Sequence, residues 1–170
     1  PKPYRVWISE IMLQQTRVEA VKPYFERFMA AFPDIKALAE ADGGYLMKMW
    51  EGLGYYNRAR NLKAAAIMVM EEFCGQIPAE KEELLKLPGI GSYTAGAISS
   101  IAYGVPNPAV DGNVLRVLSR LWGDTSDIKK ASVKAVMEQE IAEVMPENAA
   151  SSYNQGLIEI GALVCIPGGE

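Results

Sequence analysis

The chain has 170 residues, 49% hydrophobic and 22% charged, with 17 basic against 21 acidic side chains and a net charge of −4. That is an ordinary globular balance; it excludes nucleic-acid binding by bulk positive charge, and without a run of 18 apolar residues it excludes a helical membrane span. There is no histidine, so imidazole catalysis and histidine-ligated metal are ruled out, and carboxylates must carry any acid–base chemistry.

Helical periodicity runs through nearly every segment and no strand-type alternation is sustained, so the expected class is all-α. Tyr4 to about Gln14 reads as a first, mostly apolar helix. Thr16-Arg17-Val18-Glu19 has the form of a capping box opening a second, with Val18, Val21, Phe25, Phe28, Met29 and Phe32 on its apolar face and Pro33 ending it. Asp34 and Asp42 are placed to cap a third and a fourth helix, the latter ending near Glu51. Gly52-Leu53-Gly54 breaks the chain before a long helix from about Tyr55 to Phe73, closed by Gly75. Glu80–Lys86 and Tyr93–Ala102 form a further pair. Gly104-Val105-Pro106-Asn107-Pro108 is the clearest linker and the expected lobe boundary, dividing 4–108 from 109–170. Asp111 can cap the next helix through about Leu121, followed by one from Ile128 or Ser132 to Val144 and a last from Ala150 to Cys165.

The two helices around residue 90 are joined by Leu87-Pro88-Gly89-Ile90-Gly91-Ser92-Tyr93-Thr94-Ala95-Gly96-Ala97. Pro88 stops the first helix. Gly89 and Gly91 permit positive φ and leave backbone amides uncovered, which at a helix start suits an anion such as phosphate. The same turn can also be a plain packing corner.

That stretch resembles the helix-hairpin-helix of the endonuclease III superfamily of DNA base-excision glycosylases. Four more stretches resemble its adenine DNA glycosylases of the MutY type: Ser9–Thr16 (SEIMLQQT), Gly52–Tyr56 (GLGYY), Val110–Val114 (VDGNV), and Tyr153-Asn154-Gln155 with Gly161–Cys165 (GALVC). In the family's order they span almost the whole chain. The resemblance implies a six-helix barrel lobe over 4–108 and a partial second helical lobe over 109–170.

Glu10 reads from its pattern either as an exposed helix former or as a partly buried acid made a proton donor by desolvation. The resemblance selects the second, as the acid that protonates adenine at N7 and then helps position water. Asp111 reads as a helix cap, and the positive end of a helix dipole suits a carboxylate; the resemblance makes it the charge that stabilises the sugar cation, with Asn113 orienting the site. Tyr93, or one of its neighbours Ser92 and Thr94, stands where the bifunctional relatives carry a nucleophilic lysine, which implies a monofunctional enzyme with water as nucleophile. Gln15 and Tyr55 match residues wedged into the base stack. Leu13, Val18, Gln155 and Ile158 match positions lining the base pocket, although they also read as ordinary core. Leu87, Gly89 and Gly91 form the hairpin contact. Arg58, Arg60 and Lys63, with Arg116 and Arg120, are candidates for phosphate contacts or solvated faces.

Such families carry four cysteines holding a [4Fe–4S] cluster. Only Cys165 matches, as the first of them; Cys74 reads as a core thiol on another helix. An upstream helix and a C-terminal domain that recognises oxidised guanine are also outside these 170 residues. The chain is therefore expected to be the catalytic core of a longer protein, or a cluster-free relative, that does not assemble the cluster by itself. Its expected partner is double-stranded DNA with an adenine mispair. A thymine-mismatch glycosylase and a non-catalytic DNA-binding helical module are the alternatives. Two cysteines make no disulfide framework, and the start Pro1-Lys2-Pro3-Tyr4-Arg5 shows no signal-peptide pattern. A monomer in the cytoplasm, associated with the nucleoid when bound to DNA and not with membrane, is the expectation.

Overall fold

The structure, a computed structural model, describes residues 2–168. Among these every regular element is helical: α1 Pro3–Leu13, α2 Val18–Ala31, α3 Ile35–Ala39, α4 Gly43–Trp50, α5 Asn57–Glu72, α6 Lys81–Leu84, α7 Ser92–Ala97 running into a π-helical turn Ile98–Ala102, α8 Gly112–Trp122, α9 Ala131–Val144 and α10 Ala150–Leu163. None of these helices is long and apolar enough to cross a membrane.

The aspartate caps form as their spacing demands. Asp34, Asp42 and Asp111 each accept the backbone amide three residues on, at 2.8 Å, which satisfies an otherwise orphaned helix-end donor. The Thr16 capping box does not form. Helix α2 starts at Val18 with no side-chain cap, because the Thr16 hydroxyl is engaged elsewhere: it donates to the Gln14 carbonyl and accepts from Arg58, both at 3.3 Å. Helix α5 starts two residues later than its periodicity suggests, since Tyr55 takes φ +48°. Gly91 has φ −98° in extended backbone, so of the two hairpin glycines only Gly89, at φ +80°, uses the left-handed region. Cys74 is not a core thiol. It follows the end of α5 at φ +54° and is exposed.

Helix α1 is the axis of the larger apolar cluster. Tyr4, Val6, Trp7, Ile8, Ile11 and Met12 are all buried, and α2, α5, α7 and the π turn pack around them. Burying Trp7, Trp50 and Phe28 completely contributes on the order of 2–3 kcal/mol per side chain. A second cluster joins Val110, Val114, Leu115 and Leu118 to Met137 and Ile141 of α9 and Ala150 of α10. The two clusters meet along the linker. Asn154 of α10 is 1% exposed. Its amide nitrogen donates to the Ser100 hydroxyl at 2.7 Å and the Asn107 carbonyl at 2.8 Å, and its oxygen accepts the Ala109 amide at 3.1 Å. Asn107 in turn donates to the Ser99 hydroxyl at 2.8 Å. The linker is thus tied on both sides just before Asp111.

Candidate active site

Three elements bring their polar residues to one cavity of about 720 Å³, within the range of about 300–1,000 Å³ usual for small-molecule sites. Helix α1 supplies Glu10, α7 supplies Tyr93 and the start of α8 supplies Asp111. Glu10 and Asp111 are about a hundred residues apart in sequence, and the packing of α8 on α10, and of α10 on the π turn, joins them.

Glu10 lies on the one helix whose neighbours are almost all core. Burial raises its pKa above the ordinary glutamate range; the nearby Tyr93 hydroxyl lowers it, and the nearby Asp111 raises it further. Burial dominates, as expected for a carboxyl removed from water. The Tyr93 hydroxyl is itself pushed well up by burial and then by the charges of Glu10 and Asp111, so it stays a neutral donor facing Glu10. Asp111 has a different setting. One oxygen accepts the Val114 amide at 2.8 Å and the other the Asn113 side-chain amide at 3.0 Å. Asn113 is held in turn by Arg116, whose Nη2 donates to the Asn113 oxygen at 3.0 Å and to the Gly161 carbonyl at 2.7 Å, while Nε donates to the Cys165 carbonyl at 2.8 Å. Glu10 is thus desolvated while Asp111 is fed hydrogen-bond donors, two unlike settings for carboxyls that line one cavity.

Leu13 lines the same cavity. The structure does not bring Val18, Gln155 or Ile158 to it. Val18 is 55% exposed; Gln155 is exposed and its amide bonds back to Ser151; Ile158 packs on the second apolar cluster. Gln15 and Tyr55 do meet, at a neighbouring cavity of about 520 Å³ that they share with Gln14, Tyr56, Asn57 and Arg58. Both hold left-handed backbone, φ +57° and +48°, and Cys74 is the one other non-glycine among the described residues to do so. For such side chains this conformation is strained, and it persists where the surroundings enforce it.

Arg58 enforces it, and its expected role as a phosphate contact is corrected. Arg58 is 8% exposed. It donates to the carbonyls of Ile11, Met12 and Gln14 at the end of α1, to the Thr16 hydroxyl, and to the carbonyls of Leu53 and Gly54. A planar fork of donors fits this set of acceptors, and its Nη protons are taken up by them. Arg116 and Arg120 are likewise occupied, Arg120 by the Cys165 thiol and the Ile166 carbonyl, both at 3.2 Å. Lys63 donates to the Ala41 carbonyl at 2.6 Å. Arg60 is exposed, with Asn57 as its partner at 2.7 Å. Leu87 is buried and anchors the hairpin from inside, its carbonyl accepting the Ile90 amide at 3.2 Å. At Gly89 an added Cβ would meet Asn61 at 2.8 Å, so this turn needs glycine for space as well as for φ.

A [4Fe–4S] cluster needs about four cysteine thiolates. The sequence offers Cys165 and the distant, exposed Cys74, and among the described residues no three His, Cys, Asp or Glu side chains stand together as a metal site. The residues present do not fit the group.

Residues 8–143 match the HhH-GPD superfamily base excision DNA repair proteins. The chain is 40% identical over 163 residues to the adenine DNA glycosylase of Buchnera aphidicola from Acyrthosiphon pisum, covering 96% of this chain and 47% of the relative. It is 41% identical over 165 residues to the human adenine DNA glycosylase, covering 96% and 30%. The chain thus spans about half the length, or less, of these curated relatives. Among solved structures, a thermostable thymine-DNA glycosylase superposes with a TM-score of 0.89 at 26% identity, covering 98% of this chain and 77% of that one. A non-covalent endonuclease III–DNA complex gives 0.85 at 27% identity, covering 99% and 78%.

Proposed function

The chain belongs to the HhH-GPD superfamily of base excision DNA repair proteins, and from that premise we propose that it is the catalytic core of a monofunctional adenine DNA glycosylase. Its substrate is adenine mispaired with 8-oxoguanine or guanine in double-stranded DNA, and it acts as a monomer, in the cytoplasm at the nucleoid. The carrying observation is the meeting of Glu10, Tyr93 and Asp111 at one cavity. The names of the relatives at about 40% identity support adenine as the base. The two apolar clusters support two lobes meeting near residue 108.

In this mechanism the adenine is flipped out of the stack, with Gln15 and Tyr55 filling the space it leaves. Glu10, its pKa raised by burial, gives its proton to N7. The C1′–N9 bond breaks with its electron pair leaving on the base. Asp111 stabilises the oxocarbenium-like sugar, its carboxylate oriented by Asn113 and Val114. Water adds at C1′ and returns a proton to Glu10. The residue facing Glu10 is Tyr93, which supports water rather than an amine as nucleophile. The Gly89 and Gly91 amides, which donate to no backbone carbonyl, receive the strand's phosphates.

The test is single-turnover adenine release from a duplex with one A opposite 8-oxoguanine, with Glu10→Gln and Asp111→Asn in parallel. Release by the parent and at least a hundredfold loss in both variants is expected. Release of thymine from a T-containing mismatch instead would favour the thymine enzyme suggested by the high structural overlap. Undiminished release by Asp111→Asn would overturn the assignment of that carboxylate.

A further inference from the structure

Among the described side chains lining the cavity of Glu10 and Asp111, Lys134 is the one cation. It projects from α9. One turn further along, Glu138 stands 3.8 Å from its ammonium and 4.0 Å from that of Lys81. The Ser92 hydroxyl, next to Gly91 of the hairpin, lies 3.1 and 3.0 Å from the two Glu138 oxygens. The side chains of Glu138 and Lys81 are 19% and 16% exposed, that of Lys134 37%. Ser92 therefore holds the carboxylate at hydrogen-bond distance, while both lysines stand at the outer limit of an ion pair. Lys134 is the more exposed of the two, and such a pair exchanges readily for a better anion.

A nucleotide drawn into this cavity brings its two phosphates to a mouth that otherwise presents carboxylates, on a chain of net charge −4. The hairpin amides face one side of that mouth with no formal charge. We propose that Lys134 contacts the DNA phosphate beside the nucleotide entering the cavity, and that Glu138 holds Lys134 in check while the site is empty. This rests on the DNA glycosylase reading above. The exchange is favourable because Glu138 keeps Lys81 and Ser92 when Lys134 leaves, so no carboxylate is stranded.

The experiment is fluorescence anisotropy with a duplex carrying a tetrahydrofuran abasic site opposite 8-oxoguanine, between 50 and 200 mM NaCl. The parent, Lys134→Gln, Glu138→Gln and the double variant are compared, with thermal melts to confirm folding and adenine release measured on the same preparations. One phosphate contact is worth about 0.9 in the slope of log Kd against log salt, a differential of about 3.5-fold across this range. Lys134→Gln is expected to flatten the slope by that amount and to weaken binding most at 50 mM. Glu138→Gln is expected to bind more tightly than the parent at 50 mM with a steeper slope, and the double variant to lose that gain. Parallel slopes for the parent and Lys134→Gln, or weaker binding by Glu138→Gln, would overturn the proposal. Adenine release with parallel slopes defeats the phosphate contact alone. Shifted slopes without base release defeat the glycosylase reading alone, and no binding by the parent defeats both.

Discussion

Replacing Arg58 by glutamine tests how the Gln15 and Tyr55 loops are held. Four Nη protons serve six acceptors: three carbonyls at the end of α1, the Thr16 hydroxyl and two carbonyls of the Leu53-Gly54 turn. The buried Nε proton has no partner. The protons therefore make about four full bonds, and each carbonyl left unpaired costs about 1–3 kcal/mol where water cannot reach it. The Gly54 carbonyl keeps the Trp50 indole N–H at 3.0 Å, the part-buried Gln14 carbonyl rehydrates, and the shorter glutamine amide recovers one bond, so the net loss is about 3–5 kcal/mol, typical of breaking a buried charged network. For a chain of this size that lowers Tm by roughly 8–15 °C. Arg58→Lys, a point donor without the fork, recovers less than half. The guanidinium also binds the Gln15 and Tyr55 loops to each other, so affinity for an abasic-site duplex falls as well. Thermal and urea unfolding with anisotropy titration measure both effects. A Tm within 3 °C of the parent, with unchanged DNA affinity, would refute the bracing role.

The raised pKa of Glu10 has a stability consequence with a definite sign. The folded state holds the proton more tightly than the unfolded chain, so the contribution of Glu10 is fully present below about pH 4.3 and is lost as pH rises through the folded value. Glu10→Gln, neutral at every pH, should melt above the parent at pH 8, with the gap closing as pH falls to 4; a gap independent of pH would contradict a raised pKa. Base release by the parent should likewise decline as pH rises through the same value. At Gly161 a new Cβ would lie 2.7 Å from Asn113 Cβ and 3.0 Å from its carbonyl, so Gly161→Ala, though a better helix former, should destabilise by about 1–3 kcal/mol through overpacking. By displacing Asn113 it should also cut single-turnover base release at least tenfold while changing abasic-duplex affinity less than threefold. Full activity would show that Asn113 does not orient Asp111.

What the sequence revealed was mostly local. An aspartate three residues before a free helical amide caps that helix wherever it lies, so Asp34, Asp42 and Asp111 could be placed from spacing alone. The approximate helix boundaries followed from apolar period, glycine and proline. The Thr16 box failed because its hydroxyl had a competitor 42 residues away. Arg58, Arg116 and Asn154 were illegible for the same reason. The partners that tie them to other elements lie more than 40 residues off, and a buried arginine on an amphipathic helix has the same local pattern as a solvated one. The left-handed backbone at Gln15 and Tyr55 left no residue-type signal either, because neither is glycine or asparagine.

The position of Asp111 relative to Glu10 is set by three close approaches that no single stretch encodes. Gly96 of α7 lets the linker pass so closely that a Cβ would fall 2.0 Å from the Pro108 carbonyl. Backbone oxygen cannot give way as a flexible side chain can, so this crossing has no room for a larger residue. On the other side Asn154 satisfies the Asn107 carbonyl and the Ala109 amide, groups that an irregular buried segment would otherwise leave unpaired. At the far end Gly161 admits Asn113 against α10, where Arg116 ties the two helices. Two residues beyond Ala109, Asp111 has its backbone fixed from the linker and its carboxylate fixed from Asn113. Glu10 meanwhile rides on α1, the most buried helix of the other cluster. A pair of carboxyls brought to one cavity from two packing units needs this kind of stiffness where the units join, since an ångström of slippage between them would change how both face the cavity.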